Sequence, residues 1–126
     1  MAGSKSAISS YRDLVVWQEA MDLAADAYKF VSRFPKEELY GLTSQVRRSA
    51  VSVPANIAEG YGRDNRGSYV QQLRVAQGSL KELETHFLIA ERVGLTSSDS
   101  IGPLLIQAEK IGKMLRSLIR SLEATG

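Results

Sequence analysis

The residue types that could do chemistry are sparse. The chain holds one histidine, His86, no cysteine, and small hydroxyl residues at Ser49, Ser52 and Ser79 within segments of helical spacing. A serine nucleophile needs a neighbouring base to take its proton. No histidine stands near these three along the sequence, so they read as small helix residues. Glu82, one turn before His86, is the expected partner of the imidazole, which reads as a solvated or rim side chain. A di-iron centre inside a helical bundle would need two Glu-x-x-His pairs, whereas Leu83 stands three residues before His86. The lack of cysteine removes thiol catalysis, disulfide frameworks and cysteine-ligated zinc or iron–sulfur sites. Gly62-Arg63-Asp64-Asn65-Arg66-Gly67-Ser68 has the glycine spacing of a phosphate-binding P-loop, but the lysine before the serine and the preceding strand are missing. The reading is therefore no catalytic constellation, no cofactor, no metal and no enzyme.

Charge offers a second kind of chemistry. Arg47, Arg48, Arg63, Arg66 and Arg74 face only Glu59 and Asp64 across residues 47–74, a local net charge of +3 in a chain whose overall net charge is +2. These five are the candidate contacts for RNA or DNA, with Tyr61 and Tyr69 nearby as stacking surfaces. An i,i+4 pairing of Glu59 with Arg63 would neutralise part of that patch.

The elements that must position these groups are helices. Leu14, Trp17, Met21, Ala24, Tyr28 and Val31 form a stripe at steps of three and four between Asp13 and Arg33. Ser10 and Asp13 make a helix-start box, and Phe34-Pro35 ends the run. A second stripe holds Leu42, Val46, Ala50, Val53 and Ile57, closes at Gly60 and Gly62, and carries Pro54, where a kink or break is expected. Asn65 or Ser68 caps a third helix, with Tyr69, Leu73, Ala76, Leu80, Leu83, Phe87 and Ala90 inward and a stop at Gly94. Within it, Gly78-Ser79 reads as a place of close helix contact. Thr96, Ser97 and Ser98 are cap candidates for a fourth helix striped by Ile101, Leu104, Ala108, Ile111, Leu115, Leu118 and Leu122, with Pro103 expected in its first turn. Short connections between long helices imply an all-α, antiparallel, up-down-up-down four-helix bundle.

The second helix has too much apolar surface for one core. Residues 49–58 contain no charge, and Val51, Ala55 and Ala58 lie about 120° from the core stripe. That face marks a candidate homo-oligomer interface. Acidic Glu19, Asp22 and Asp26 on the first helix and basic Lys110, Lys113, Arg116 and Arg120 on the fourth are either solvated faces or partners across a subunit contact.

At 126 residues, 44% of them apolar, the chain has the size of one domain. Residues 11–124 are expected to form it, after a flexible segment at 1–10 that lacks the apolar stretch of a signal peptide. No run is long enough to span a membrane, so no membrane partner is expected and a cytoplasmic location is the default.

Tyr11-Arg12-Asp13-Leu14-Val15-Val16-Trp17-Gln18, Phe34-Pro35 and the run Glu38–Arg48 resemble the bacterial four-helix-bundle family of 23S rRNA intervening-sequence proteins. Val51-Ser52-Val53-Pro54-Ala55-Asn56-Ile57-Ala58-Glu59-Gly60 and Gly78-Ser79-Leu80-Lys81-Glu82-Leu83-Glu84-Thr85 extend that resemblance in the same order along the chain. It implies an all-α bundle assembled as a homopentameric ring. The expected function is that of a non-enzymatic, cytoplasmic homo-oligomer acting as scaffold or adaptor. The alternative is an RNA- or DNA-binding accessory protein that presents the arginine cluster.

Overall fold

The computed structural model describes residues 8–124. Ser10 opens the chain with a capping box. Its Oγ accepts the Arg12 N–H at 3.1 Å, while Asp13 Oδ2 accepts the N–H groups of Ser9 at 2.9 Å and Ser10 at 3.2 Å. These bonds, the Ser9 backbone N–H foremost, hold the Asp13 carboxyl below the ordinary carboxylate range. Residues 1–7 of the segment expected to be flexible lie outside the described residues. The box caps a 3₁₀ turn, Tyr11–Asp13, and helix α1, Val15–Val31, begins beyond it.

Helix α1 buries Val16, Ala20, Leu23, Ala24, Ala27 and Val31. The expected stripe is thus corrected: Ala24 and Val31 are inside, Leu14 and Trp17 are half-buried, and Met21 and Tyr28 are 44% and 43% exposed. Two stripes about a quarter turn apart compete on this helix. The one rich in alanine goes inward because bulky residues on the other helices, Phe87 above all, already fill the interior.

Helix α2, Leu42–Tyr61, buries Val46, Ala50, Val53 and Ile57 as its spacing requires. It continues through Pro54 without a break, and it includes Gly60, which sits under Tyr69 and Gln72. Helix α3, Arg66–Arg92, is capped by Asn65, whose Oδ1 accepts the Ser68 N–H at 2.8 Å. Its inward stripe of Leu73, Ala76, Leu80, Leu83, Phe87 and Ala90 matches the heptad-like spacing. Gly94 ends it at φ +84°, with Gly94 N–H bonded to Glu91 O at 3.1 Å and Leu95 N–H to Ala90 O at 2.9 Å. That pair of bonds is the Schellman motif, which favours glycine at the left-handed position.

Helix α4, Ser98–Ala124, starts at Ser97, whose Oγ accepts the Ser100 N–H at 3.2 Å. Pro103 lies in the second turn rather than the first. The proline is tolerated there because the carbonyl it leaves without an intrahelical donor belongs to Asp99, at the exposed start of the helix. The four helices surround one core, with α1 against α2 and α4, and α3 against α2 and α4. No strand occurs among the described residues. The charge stripes of α1 and α4 partly meet within the chain: Lys110 pairs with Glu19 at 3.4 Å, and Gln107 Nε2 donates to Asp26 Oδ2 at 3.0 Å.

Candidate functional site

A polar seam joins α2 to α3, and it corrects the reading that the serines lie far from any histidine. Ser49 Oγ is 3.2 Å from His86 Nδ1. Ser52 Oγ meets Ser79 Oγ at 2.7 Å, and Asn56 Nδ2 donates to Ser52 Oγ at 2.9 Å. Ser49, Ser52 and Asn56 recur at steps of three and four, so the periodicity that marks apolar stripes could have found this polar one. The Ser49–His86 contact is not an activated nucleophile. Ser49 is only 3% exposed, and the Gln45 carbonyl, 3.0 Å away, competes for its single hydroxyl proton. The imidazole tautomer sets which of Ser49 Oγ and His86 Nδ1 donates across this contact. Burial pushes the His86 pKa down, against a smaller upward pull from Glu82. The ring is half-buried at the rim of the bundle and links two helices, so of the solvated and rim readings the rim one describes it.

The five arginines do not gather into one patch. About 21 Å of helix separates Arg47 from the end of α2 at Tyr61, so Arg47 and Arg48 stand apart from Arg63 and Arg66. Arg63 pairs with Glu59 and Arg74 with Glu123, each through an ion pair at the surface. Arg48 and Arg66 are exposed. Tyr61 and Tyr69 pack edge to face with centroids 6.2 Å apart, and burial raises the Tyr69 phenol pKa, with a smaller contribution from Tyr61. Their rings are engaged at the α2–α3 junction.

Arg47 behaves differently from the other four. Its guanidinium lies 5.3 Å from the centroid of the Tyr28 ring, a cation–π contact between α2 and α1. Its Nε is buried with no hydrogen-bond partner among the described residues. A buried donor left unpaired costs about 1–3 kcal/mol, and more when it carries charge. On the same helix, Val51 is 45% exposed, Ala55 is exposed and Ala58 is half-buried. Arg47, Val51, Ala55 and Ala58 follow one another at steps of four, four and three, a single stripe that touches the exposed Tyr28 of α1 at its Arg47 end.

The model of the family described as 23S rRNA-intervening sequence protein matches residues 12–117, which spans all of α1, α2 and α3 and most of α4. The chain belongs to that family. A crystal structure of a protein with unknown function from the S23 ribosomal protein family, from Bacteroides thetaiotaomicron VPI-5482, is similar at a TM-score of 0.75 and 23% sequence identity, covering 83% of this chain and 98% of that one. At that identity the likeness concerns the fold. No curated protein matches.

The chain also has an open cleft of about 450 Å³ where the end of α1 meets the start of α4, lined by Lys29, Phe30, Arg33, Phe34, Asp99 and Pro103 among others. The sequence reading did not find it, because its walls come from segments some 70 residues apart. No group of three or more potential metal ligands occurs among the described residues, and no helix there is long and apolar enough to cross a membrane.

Proposed function

We propose that this protein is a non-enzymatic, cytoplasmic scaffold or adaptor that works as a homo-oligomeric ring of antiparallel up-down-up-down bundles, with α2 supplying a contact between copies. The observation that carries this reading is the exposure of Val51 and Ala55 on a helix with no charged residue from 49 to 58. Water contact with that face is unfavourable, and small side chains let a second helix approach closely. The antiparallel order is supported by the cross-helix pairs. Partners of Ser49, Ser52 and Gly60 on α3 run backwards as His86, Ser79 and Tyr69. Arg74 of α3 meets Glu123 of α4, while Leu80 meets Gly112. Pentameric closure is what membership of the family suggests.

Size-exclusion chromatography with light scattering tests the assembly. The expected result is a mass several times that of the chain at micromolar concentration. Ala55→Arg introduces a charge that a contact would have to bury unpaired, so it dissociates the assembly with helix content unchanged. A monomeric wild type, or an unchanged mass in Ala55→Arg and Ala58→Glu alike, removes this use of α2. Nucleic-acid binding through the arginines is the weaker reading, because Arg63 and Arg74 already hold carboxylates and Arg47 lies far along α2 from Arg63.

A further inference from the structure

We propose that the groove between α3 and α4 binds a small anion built from a chain of phosphate groups, held by Arg74 and Lys81 of α3 and Arg116 of α4. Both walls come from one chain, so this inference is independent of the self-association proposed above.

Two glycines open the groove. Gly78 of α3 and Gly112 of α4 line it, with Leu80 as an apolar floor, and its volume is about 410 Å³. A Cβ added at Gly78 would meet nothing within 4 Å, and one added at Gly112 would meet Leu80 Cδ2 at 3.6 Å. The space over Leu80 is open because neither helix puts a side chain there. The close helix contact expected at Gly78-Ser79 is made by Ser79, through Ser52, and not by the glycine.

Charge decides what fits. Arg74, Lys81 and Arg116 line the groove together with the Gln77 amide, and no carboxylate is among the residues that form its walls. The cleft where α1 meets α4 sets Lys29 and Arg33 against Asp26 and Asp99, so its charges balance internally. In the α3–α4 groove Arg116 is exposed and forms no ion pair among the described residues. Arg74 gives Glu123 one Nη, and Lys81 meets Glu84 at 3.3 Å. Both cation side chains stay at least half exposed, and exposed pairs of this kind contribute little. These carboxylates steady the two cations and leave most of their donors for a ligand.

Spacing selects among anions. Arg74 and Lys81 stand about 10 Å apart along α3. Leu80 faces Gly112, so in the antiparallel pair Arg116, one turn further along α4, stands opposite the stretch of α3 between Arg74 and Lys81. A lone carboxylate would engage one of these three cations and leave the others facing water. A chain of phosphates carries charge at every link and spans the row, and its oxygens suit the planar fork of arginine. No aromatic residue lines the groove, so nothing there stacks on a base. Inorganic tripolyphosphate and a nucleoside triphosphate are therefore held alike.

Isothermal titration calorimetry at low salt, with sodium tripolyphosphate and with ATP in the absence of divalent metal, tests this. One site per chain is expected, with the two affinities within about fivefold because stacking adds to neither. Arg116→Glu and Gly78→Glu should each weaken tripolyphosphate binding at least about tenfold by placing a like charge against the ligand. Gly78→Glu replaces a glycine inside a helix where a side chain has room, so folding is retained, as circular dichroism will record. Lys36→Glu makes the same change in net charge as Arg116→Glu but outside the groove, and should stay within about threefold of wild type. No binding of tripolyphosphate overturns the proposal. Equal losses in Lys36→Glu and Arg116→Glu assign binding to net charge and overturn it as well. So does binding of ATP without binding of tripolyphosphate, which would require a base contact. A fluorescein-labelled single-stranded RNA that binds and is lost in Arg116→Glu, where tripolyphosphate does not bind, assigns the groove to a nucleic-acid strand instead. A monomeric wild type that binds tripolyphosphate with the expected losses supports this inference while removing the assembly.

Discussion

A methyl group added at Gly60 and one added at Gly112 would meet opposite surroundings, although both glycines lie inside helices. At Gly60 the new Cβ would stand 2.9 Å from Gln72 Cβ and 3.2 Å from the Tyr69 carbonyl oxygen. Gly60→Ala should therefore destabilise by about 1–3 kcal/mol. At Gly112 the nearest atom is Leu80 Cδ2 at 3.6 Å, an ordinary contact, so Gly112→Ala should stabilise by about 0.5–1 kcal/mol. Urea titration of both variants checks the two signs. His86 adds a pH dependence at the same scale. Its folded pKa lies below the usual imidazole value of 6.5, so the native state resists a proton that the unfolded chain accepts. Stability from this group is unaffected well above pH 6.5 and falls as pH drops below it. His86→Gln should flatten that part of the stability-against-pH curve. Neither Gly60 nor His86 was legible from residue type. Gly60 looks like a helix stop until Tyr69 is seen lying on it, and His86 looks solvated until α2 brings Ser49 to its ring.

The elements themselves were largely written in the periodicity. The inward stripes of α2 and α3, and that of α4 as far as Leu115, match the buried residues except at the first position of two of them, where Leu42 and Tyr69 are half-buried. Beyond Leu115, Ile119 is buried while Leu118 and Leu122 are only half-buried, as α4 nears its end. Local punctuation was equally readable: Ser10, Asn65 and Gly94 act through bonds made within a few residues. Gly94→Ala tests the last of these. There is free space for the methyl group but φ is +84°, so the penalty of about 1–2 kcal/mol comes from the backbone alone. Thermal unfolding followed by circular dichroism should record it as a lower Tm. Helix α1 was misread because it has two apolar stripes, and the choice between Met21 and Ala20 depends on how much room the other three helices leave. Pro103 was placed a turn early, since the helix start is decided by Ser97 rather than by the proline.

For the whole molecule, self-association through α2 ties folding to concentration. The urea midpoint of the wild type should rise as protein concentration is raised, because only folded chains associate. In Ala55→Arg the midpoint should become independent of concentration. A wild-type midpoint that stays constant over a hundredfold range counts against the proposed assembly. Residue spacing was enough for the helical class, the number of helices, the Gly94 stop and the charge-free stretch of α2. All of these depend on side-chain periodicity and on bonds that close within one or two turns. Tertiary structure alone decided which α1 stripe is core, that Ser49 reaches His86, that Arg47 and Arg48 stand apart from Arg63 and Arg66, and that the Nε of the half-buried Arg47 is enclosed without a partner among the described residues. Those outcomes turn on which helices lie side by side and on what their facing surfaces leave unfilled, and no spacing within a single helix carries that information.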